Sequence, residues 1–282
     1  MHRGAVPFAR LDGRLLEALG DVGVVDGSTA WGVVRAAWAA ARADAVVCWC
    51  ASVHAVAPAV LCRLRRRPFA LVPAGYEVVS VPGTGYGWQG SWWRRRLVRR
   101  LLRGGRPVLA VSPYAAACIR AAAPGVAPVL VPNAVEAPAV VPAAWALRPY
   151  DVAMAVASPA PAAQAKRGLD RVVALAGRLP ARSFLLIGPA PATWPVPPNM
   201  TVTGLLAPAG SLIALGQARV YVQLTRGSET FGSSVVEARA RGAAVVVTAV
   251  GALPWVVHGW GQVAEVAQGG DLGEVEAAVE AA

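Results

Sequence analysis

Two glutamates eight residues apart, Glu229 and Glu237, stand within residues 225–251, TRGSETFGSSVVEARARGAAVVVTAVG. A carboxylate in a loop ahead of a helix can accept hydrogen bonds from sugar hydroxyls. One lying about a turn and a half inside the helix can take a second diol, such as a ribose, when its side chain points back toward the rim. Between them, the N–H groups around Gly232, Ser233 and Ser234 suit a phosphate, because the first turn of a helix leaves its donors unpaired. A plainer reading fits the same spacing: Glu237 and Arg241 as a surface i,i+4 pair, and Glu229 as a solvated loop acid.

The flanking residues say what would hold these groups. Residues 219–224 (RVYVQL) read as a short strand of β-branched and aromatic residues. Residues 233–241 read as a helix with Val236 and Ala240 on its inner face, and Gly242 is placed to end it in the left-handed conformation. Residues 243–248 form a continuous apolar run, as in a central parallel strand covered on both faces. Strand, polar loop, helix and strand place Glu229, Phe231 and Gly232 at the carboxyl edge of a sheet, where open α/β sheets bind ligands.

This segment, with the Gly251–Ala252–Leu253–Pro254 loop after it, resembles the signature of retaining glycosyltransferases of the two-domain GT-B fold, family 4 in particular. The resemblance runs from about Pro107 to Pro254. It implies that Glu229 and the Phe231–Gly232 backbone meet the donor sugar and its phosphates, and that Glu237 holds the ribose. It also implies a basic grip on the diphosphate, with Arg167 matching the family's lysine before a glycine and Lys166 next to it. The sequence departs from the family at four places. Trp255 replaces an acid, Ala134 replaces the glycine of a Pro-Asn-Gly-Val turn, and Ser158–Pro159 stand where an arginine is usual. No histidine follows the strand 69–72, where Pro73 to Glu77 stand instead.

The 282 residues suffice for two cores of ordinary domain size, and 56% hydrophobic with 15% charged residues excludes a disordered chain. The net charge of +11 calls for an anionic partner: phosphorylated substrates, anionic lipid or, on charge alone, nucleic acid. Cys48, Cys50, Cys62 and Cys118 lack a second C-x-C pair and read as small core residues in a cytosolic protein. His2, Arg3, Arg10, Asp12 and Arg14 break up the first twenty residues, so no signal peptide is expected there. The uncharged run 45–62 reads as strand, loop and helix rather than a membrane span.

Residues 1–145 are expected to form an acceptor-side Rossmann-like domain, with strands near 22–25, 45–50, 69–72, 107–111 and 128–131 and helices over 11–19, 31–42 and 56–64. A glycine-alternating loop, 75–90, lies between. Residues 88–106 hold Trp88, Trp92 and Trp93 and seven arginines, among them Arg95, Arg96, Arg99 and Arg100. They predict a helix with Trp93, Leu97, Val98 and Leu101 on one face and a basic remainder. Trp92, Trp93 and those four arginines are the expected contacts to an anionic membrane, since tryptophan and arginine both suit the lipid–water interface. After a proline-rich linker, residues 146–282 are expected to form a sugar-nucleotide-binding domain with strands over 151–157, 184–187 and 200–203. Lys166–Arg167–Gly168 is expected to open the helix 169–179.

The fold expected is therefore α/β, two Rossmann-like domains facing across a cleft, with the C-terminal part abbreviated because only a short helix from Leu272 precedes Ala282. The activity expected is transfer of a sugar from a nucleotide-diphosphate donor to a sugar, lipid-linked or small-molecule acceptor. Lys166, Arg167 and Glu229 are the catalytic candidates, and Glu229, Thr230, Phe231, Gly232, Ser233, Glu237 and Gly188 the donor contacts. No cofactor and no metal are expected, since Asp-x-Asp is absent and His2, His54 and His258 are dispersed. A catalytically inactive relative that binds sugar nucleotides or partners an active transferase is the alternative.

Overall fold

The computed structural model describes residues 7–81, 86–136, 144–264 and 271–281. Much of the glycine-rich loop centre and of the proline-rich linker lies outside these. The chain divides into two compact units, Met1–Ala134 and Val135–Ala282.

Unit 1 runs α1 (Pro7–Leu16), α2 (Ala30–Ala40), β1 (Val46–Trp49), α3 (Val56–Leu64), β2 (Phe69–Val72), α4 (Trp92–Gly104), β3 (Leu109–Ala110), α5 (Pro113–Ala122) and β4 (Val129–Leu130). β1 pairs parallel with β2 and β3 with β4, and a parallel bridge between Leu71 and Val108 joins the two pairs. Ser112 caps α5 by accepting from the Ala115 N–H at 2.9 Å, with Pro113 at the first helical position. No strand forms at residues 22–25; Val22 and Val24 lie exposed without a neighbouring strand to pair with. The uncharged run 45–62 is divided between β1 and α3, and no helix among the described residues is long and apolar enough to cross a membrane. All four cysteines are free. Burial pushes the Cys48 thiol up to about 12, as an apolar setting disfavours a thiolate.

Unit 2 runs β5 (Tyr150–Ala155), α6 (Pro161–Arg167), α7 (Leu169–Arg178), β6 (Phe184–Ile187), β7 (Met200–Val202), α8 (Pro208–Leu215), β8 (Ala218–Gln223), α9 (Ser233–Ala240), β9 (Ala244–Thr248), α10 (Leu253–Val256), β10 (Gln262–Ala264) and α11 (Gly273–Ala281). Its six strands form one parallel sheet in the order β10-β9-β8-β5-β6-β7. Side-chain alternation divides the core. Val152, Met154, Val220, Val222 and Val246 pack with α7 and α11 on one face. Ala153, Tyr221, Val245 and Val247 pack with α8, α9 and α10 on the other. Burial of both faces explains the unbroken apolar strands. The strand order reverses between β5 and β8, and the loops leaving those two strands lie at their carboxyl ends, where open α/β sheets bind ligands.

Candidate functional site

The residues singled out by their chemistry meet at this reversal point. The sequence places Lys166 and Arg167 at a helix start, but they occupy the last turn of α6, with Gly168 in the left-handed conformation closing it and α7 beginning afterwards. Pro161 is the reason: it lacks an N–H that the first helical turn would not use, so it opens a helix there instead of prolonging a loop. Two cations at a helix C-terminus sit favourably in the dipole, so their position needs no anion to explain it. Their location follows from backbone packing. At φ 78° a Cβ on residue 168 would stand 1.9 Å from the Leu224 carbonyl oxygen, so only glycine lets this turn rest on the end of β8. The Arg226 N–H donates to the Lys166 carbonyl at 2.9 Å and fixes the same contact from the other side.

Arg167 thereby reaches Glu229, with Nη1 3.1 Å from Oε2. Gln223, the last residue of β8, donates from Nε2 to the same oxygen at 3.3 Å and accepts from Ser234 Oγ at 3.0 Å, tying the acid to the first turn of α9. Both contacts on Glu229 use Oε2, which leaves Oε1 to accept from a ligand. Gly251 braces the loop from behind: a Cβ there would lie 2.3 Å from the Glu229 carbonyl oxygen, and the Ala252 N–H donates to that oxygen at 2.8 Å.

Lys166 is the only lysine in the chain and is 8% exposed. Burial lowers its pKa; Glu229 acts to raise it and Arg167 lowers it further. Loss of water is the largest of the three effects, so the ammonium is disfavoured despite the neighbouring carboxylate. Glu237 is half-buried, and loss of water raises its pKa, with Arg241 and Arg167 offsetting part of the shift. Its side chain makes no ion pair among the described residues. Arg241 donates instead to the Glu237 backbone carbonyl at 3.1 Å, so the i,i+4 side-chain pair of the plainer reading does not form.

α9 begins at Ser233 after Gly232, whose φ is 88° and which supplies no side-chain cap; the Val235 N–H turns back to the Gly232 carbonyl at 2.9 Å, so the donors offered to a ligand are those of Ser233 and Ser234. Thr230 and Phe231 have buried side chains, so this turn offers a ligand its backbone. The inner face of α9 consists of Val235 and Ala238 rather than the expected Val236 and Ala240. Gly188 follows β6 at φ 141°, where a Cβ would meet the Val156 carbonyl oxygen at 1.9 Å. Its close approach is to the end of β5, at the same edge of the sheet.

The sequence reading missed Gln223 and Tyr221. Tyr221 is fully buried in β8, two residues before Gln223. Gln223 had a visible signal, as the polar residue closing the buried strand after β-branched and aromatic neighbours. The predicted membrane contacts lie on α4, in unit 1. There Val98, Leu101 and Leu102 form the buried face, while Trp93, expected among them, is half-exposed. Among the described residues, no group of three or more His, Cys, Asp or Glu is placed to hold a metal ion.

No protein-family model matches the sequence, and no curated protein matches it. Solved structures do. A sucrose-phosphate synthase from Thermosynechococcus elongatus aligns with TM-score 0.65 at 17% identity, over 84% of this chain and 64% of its own length. HepE of Anabaena, solved with UDP and glucose, aligns with TM-score 0.65 at 17% identity, over 95% of this chain and 78% of its own. A glycosyltransferase from Rickettsia africae aligns with TM-score 0.63 at 13% identity, over 99% and 77%. The chain therefore has the GT-B fold of the glycosyltransferases, two Rossmann-like α/β units.

Proposed function

We propose that the chain is a glycosyltransferase that takes a sugar from a nucleotide diphosphate and transfers it to an acceptor hydroxyl with retention of configuration, in the cytoplasm. The observation that carries this reading is the convergence of the chain's sole lysine, Arg167 and Glu229 on the open start of α9, at the strand-order reversal of unit 2. HepE, which has a similar fold, is solved with UDP and with UDP-glucose, and that supports a uridine donor.

In this reading the diphosphate lies against the α9 N–H groups, with Lys166 and Arg167 on its other side. Glu237 accepts hydrogen bonds from the ribose, and Glu229 Oε1 accepts from a sugar hydroxyl. As the bond between the anomeric carbon and the phosphate oxygen breaks, negative charge collects on the leaving diphosphate and the sugar takes on oxocarbenium character. Fixed cations and helix N–H groups stabilise that charge without reorganising. The acceptor hydroxyl attacks from the face the diphosphate leaves, and its proton passes to a departing phosphate oxygen. Neither Glu229 nor Glu237 then serves as general acid or base, and no metal is assigned a role.

Incubation with a panel of nucleotide sugars, with a chelator present throughout, tests the reading. Binding of one donor and slow release of its sugar to water are expected with the chelator in place. Activity that appears only when magnesium or manganese is added contradicts the assignment of charge stabilisation to Lys166 and Arg167.

A further inference from the structure

The chain's charge is divided unequally between its units. Residues 1–134 carry seventeen arginines and six acids, a net of +11, while residues 135–282 carry ten basic and ten acidic residues, a net of zero. The nucleotide-diphosphate site lies in the neutral unit, so binding a phosphorylated donor does not account for the excess. Between Glu77 and Glu136 there are eight arginines and no acid.

Six of those arginines lie on α4. Arg95, Arg96, Arg99, Arg100 and Arg103 are exposed, and with Trp92 they line a groove of about 370 Å³. Among the described residues none of these arginines meets a carboxylate; Arg99 spends one N–H on the Ala122 carbonyl at 3.1 Å. Side chains of like charge gathered along one helix repel each other unless an anion sits among them. The groove is built of guanidinium groups, the donor that matches phosphate oxygens in pairs.

A second feature selects among polyanions. β1, β2, β3 and β4 follow one another across unit 1, so right-handed crossovers put α3, α4 and α5 in one layer on the same side of the sheet. α2 packs on α3 and α3 on α4. The exposed side chains of these packed helices are apolar as well as basic. Trp31 (70% exposed), Val34 and Trp38 (62%) are spaced along α2, Val60 and Leu64 stand out from α3, and Trp92 on α4 is 73% exposed. A nucleic acid would reward the arginines and leave the aliphatic side chains in water. A lipid–water interface uses both, with rings and aliphatic groups in the headgroup layer and arginines on the phosphates.

We propose that unit 1 docks on an anionic lipid surface through this helical layer, lipid phosphates seating among Arg95, Arg96, Arg99 and Arg100 on α4 and Trp31, Trp38 and Trp92 entering the interface. The proposal is independent of the transferase reading, because no residue of the donor site takes part. Flotation of the full chain with phosphatidylcholine vesicles, with and without about one third phosphatidylglycerol, tests it. The protein is expected to float with the anionic vesicles at low salt, to stay down with the neutral ones, and to detach as salt rises. Changing Arg95, Arg96, Arg99 and Arg100 together to glutamine is expected to lower partitioning at least tenfold. All four are exposed, and circular dichroism checks that the variant folds. Trp92→Ala supplies a second arm that removes no charge, and is expected to weaken binding while leaving its salt dependence unchanged. The proposal is overturned if the wild type stays unbound at low salt, if the folded glutamine variant floats as well as the wild type, or if duplex DNA is bound and the vesicles are not.

Discussion

Lys166 and Glu237 carry opposite consequences of the same cause. Each loses water, and each pKa moves toward the uncharged form: the lysine down, the glutamate up. In the proposed reading the ammonium holds the diphosphate, whose affinity should then fall as pH rises through a value below the ordinary 10.5 of lysine. Above about pH 8 the nucleotide's terminal phosphate is already fully ionised, so it adds no change of its own there. Lys166→Arg keeps a cation that does not titrate in this range, and its UDP affinity should stay flat where the wild type declines. Titration calorimetry across that range reads the difference. A wild-type affinity as flat as the variant's would remove Lys166 from the diphosphate.

At the scale of elements, the site depends on turns that only glycine can make. Gly168 lets the end of α6 rest on β8, and that contact delivers Lys166 and Arg167 to Glu229. Gly168→Ala introduces a methyl group 1.9 Å from the Leu224 carbonyl oxygen at a φ that L-residues rarely adopt. A cost of about 1–3 kcal/mol is expected, read as a lower urea midpoint, together with weaker UDP binding as Arg167 is displaced. An unchanged midpoint would show that the turn is not the brace described above. The elements also show what a sequence can and cannot disclose. The apolar runs of β6 and β9 and the Ser112–Pro113 start of α5 were legible, because burial and capping leave their mark in neighbouring residues. The helix Pro161–Arg167 was not, because a proline-flanked stretch of small residues reads equally as loop. Nor was the inner face of α9: its hydrophobic and small residues lie on more than one side, and the α8 and α10 packing that selects Val235 and Ala238 comes from elsewhere in the chain.

For the whole molecule, the repeated strand–helix units announced two α/β parts. The strand order of unit 2, which puts the reversal between β5 and β8, depends on pairings between distant segments that no local pattern records. The glutamate pair was legible as a motif, yet its two members differ in setting. Glu229 is fastened by Arg167 and Gln223, and Glu237 is left without an ion pair among the described residues. In the proposed reading, as the resemblance to the glycosyltransferase signature implies, Glu229 meets the sugar and Glu237 the nucleotide. Calorimetric titration of UDP and UDP-glucose into the wild type, Glu229→Ala and Glu237→Ala separates the two roles. Glu237→Ala is expected to weaken both ligands by at least ~1 kcal/mol, through loss of a charged hydrogen-bond partner. Glu229→Ala is expected to remove the increment due to glucose and keep the affinity for UDP. Wild-type protein that binds neither ligand, or a Glu237→Ala variant that binds both as tightly as the wild type, would contradict that reading.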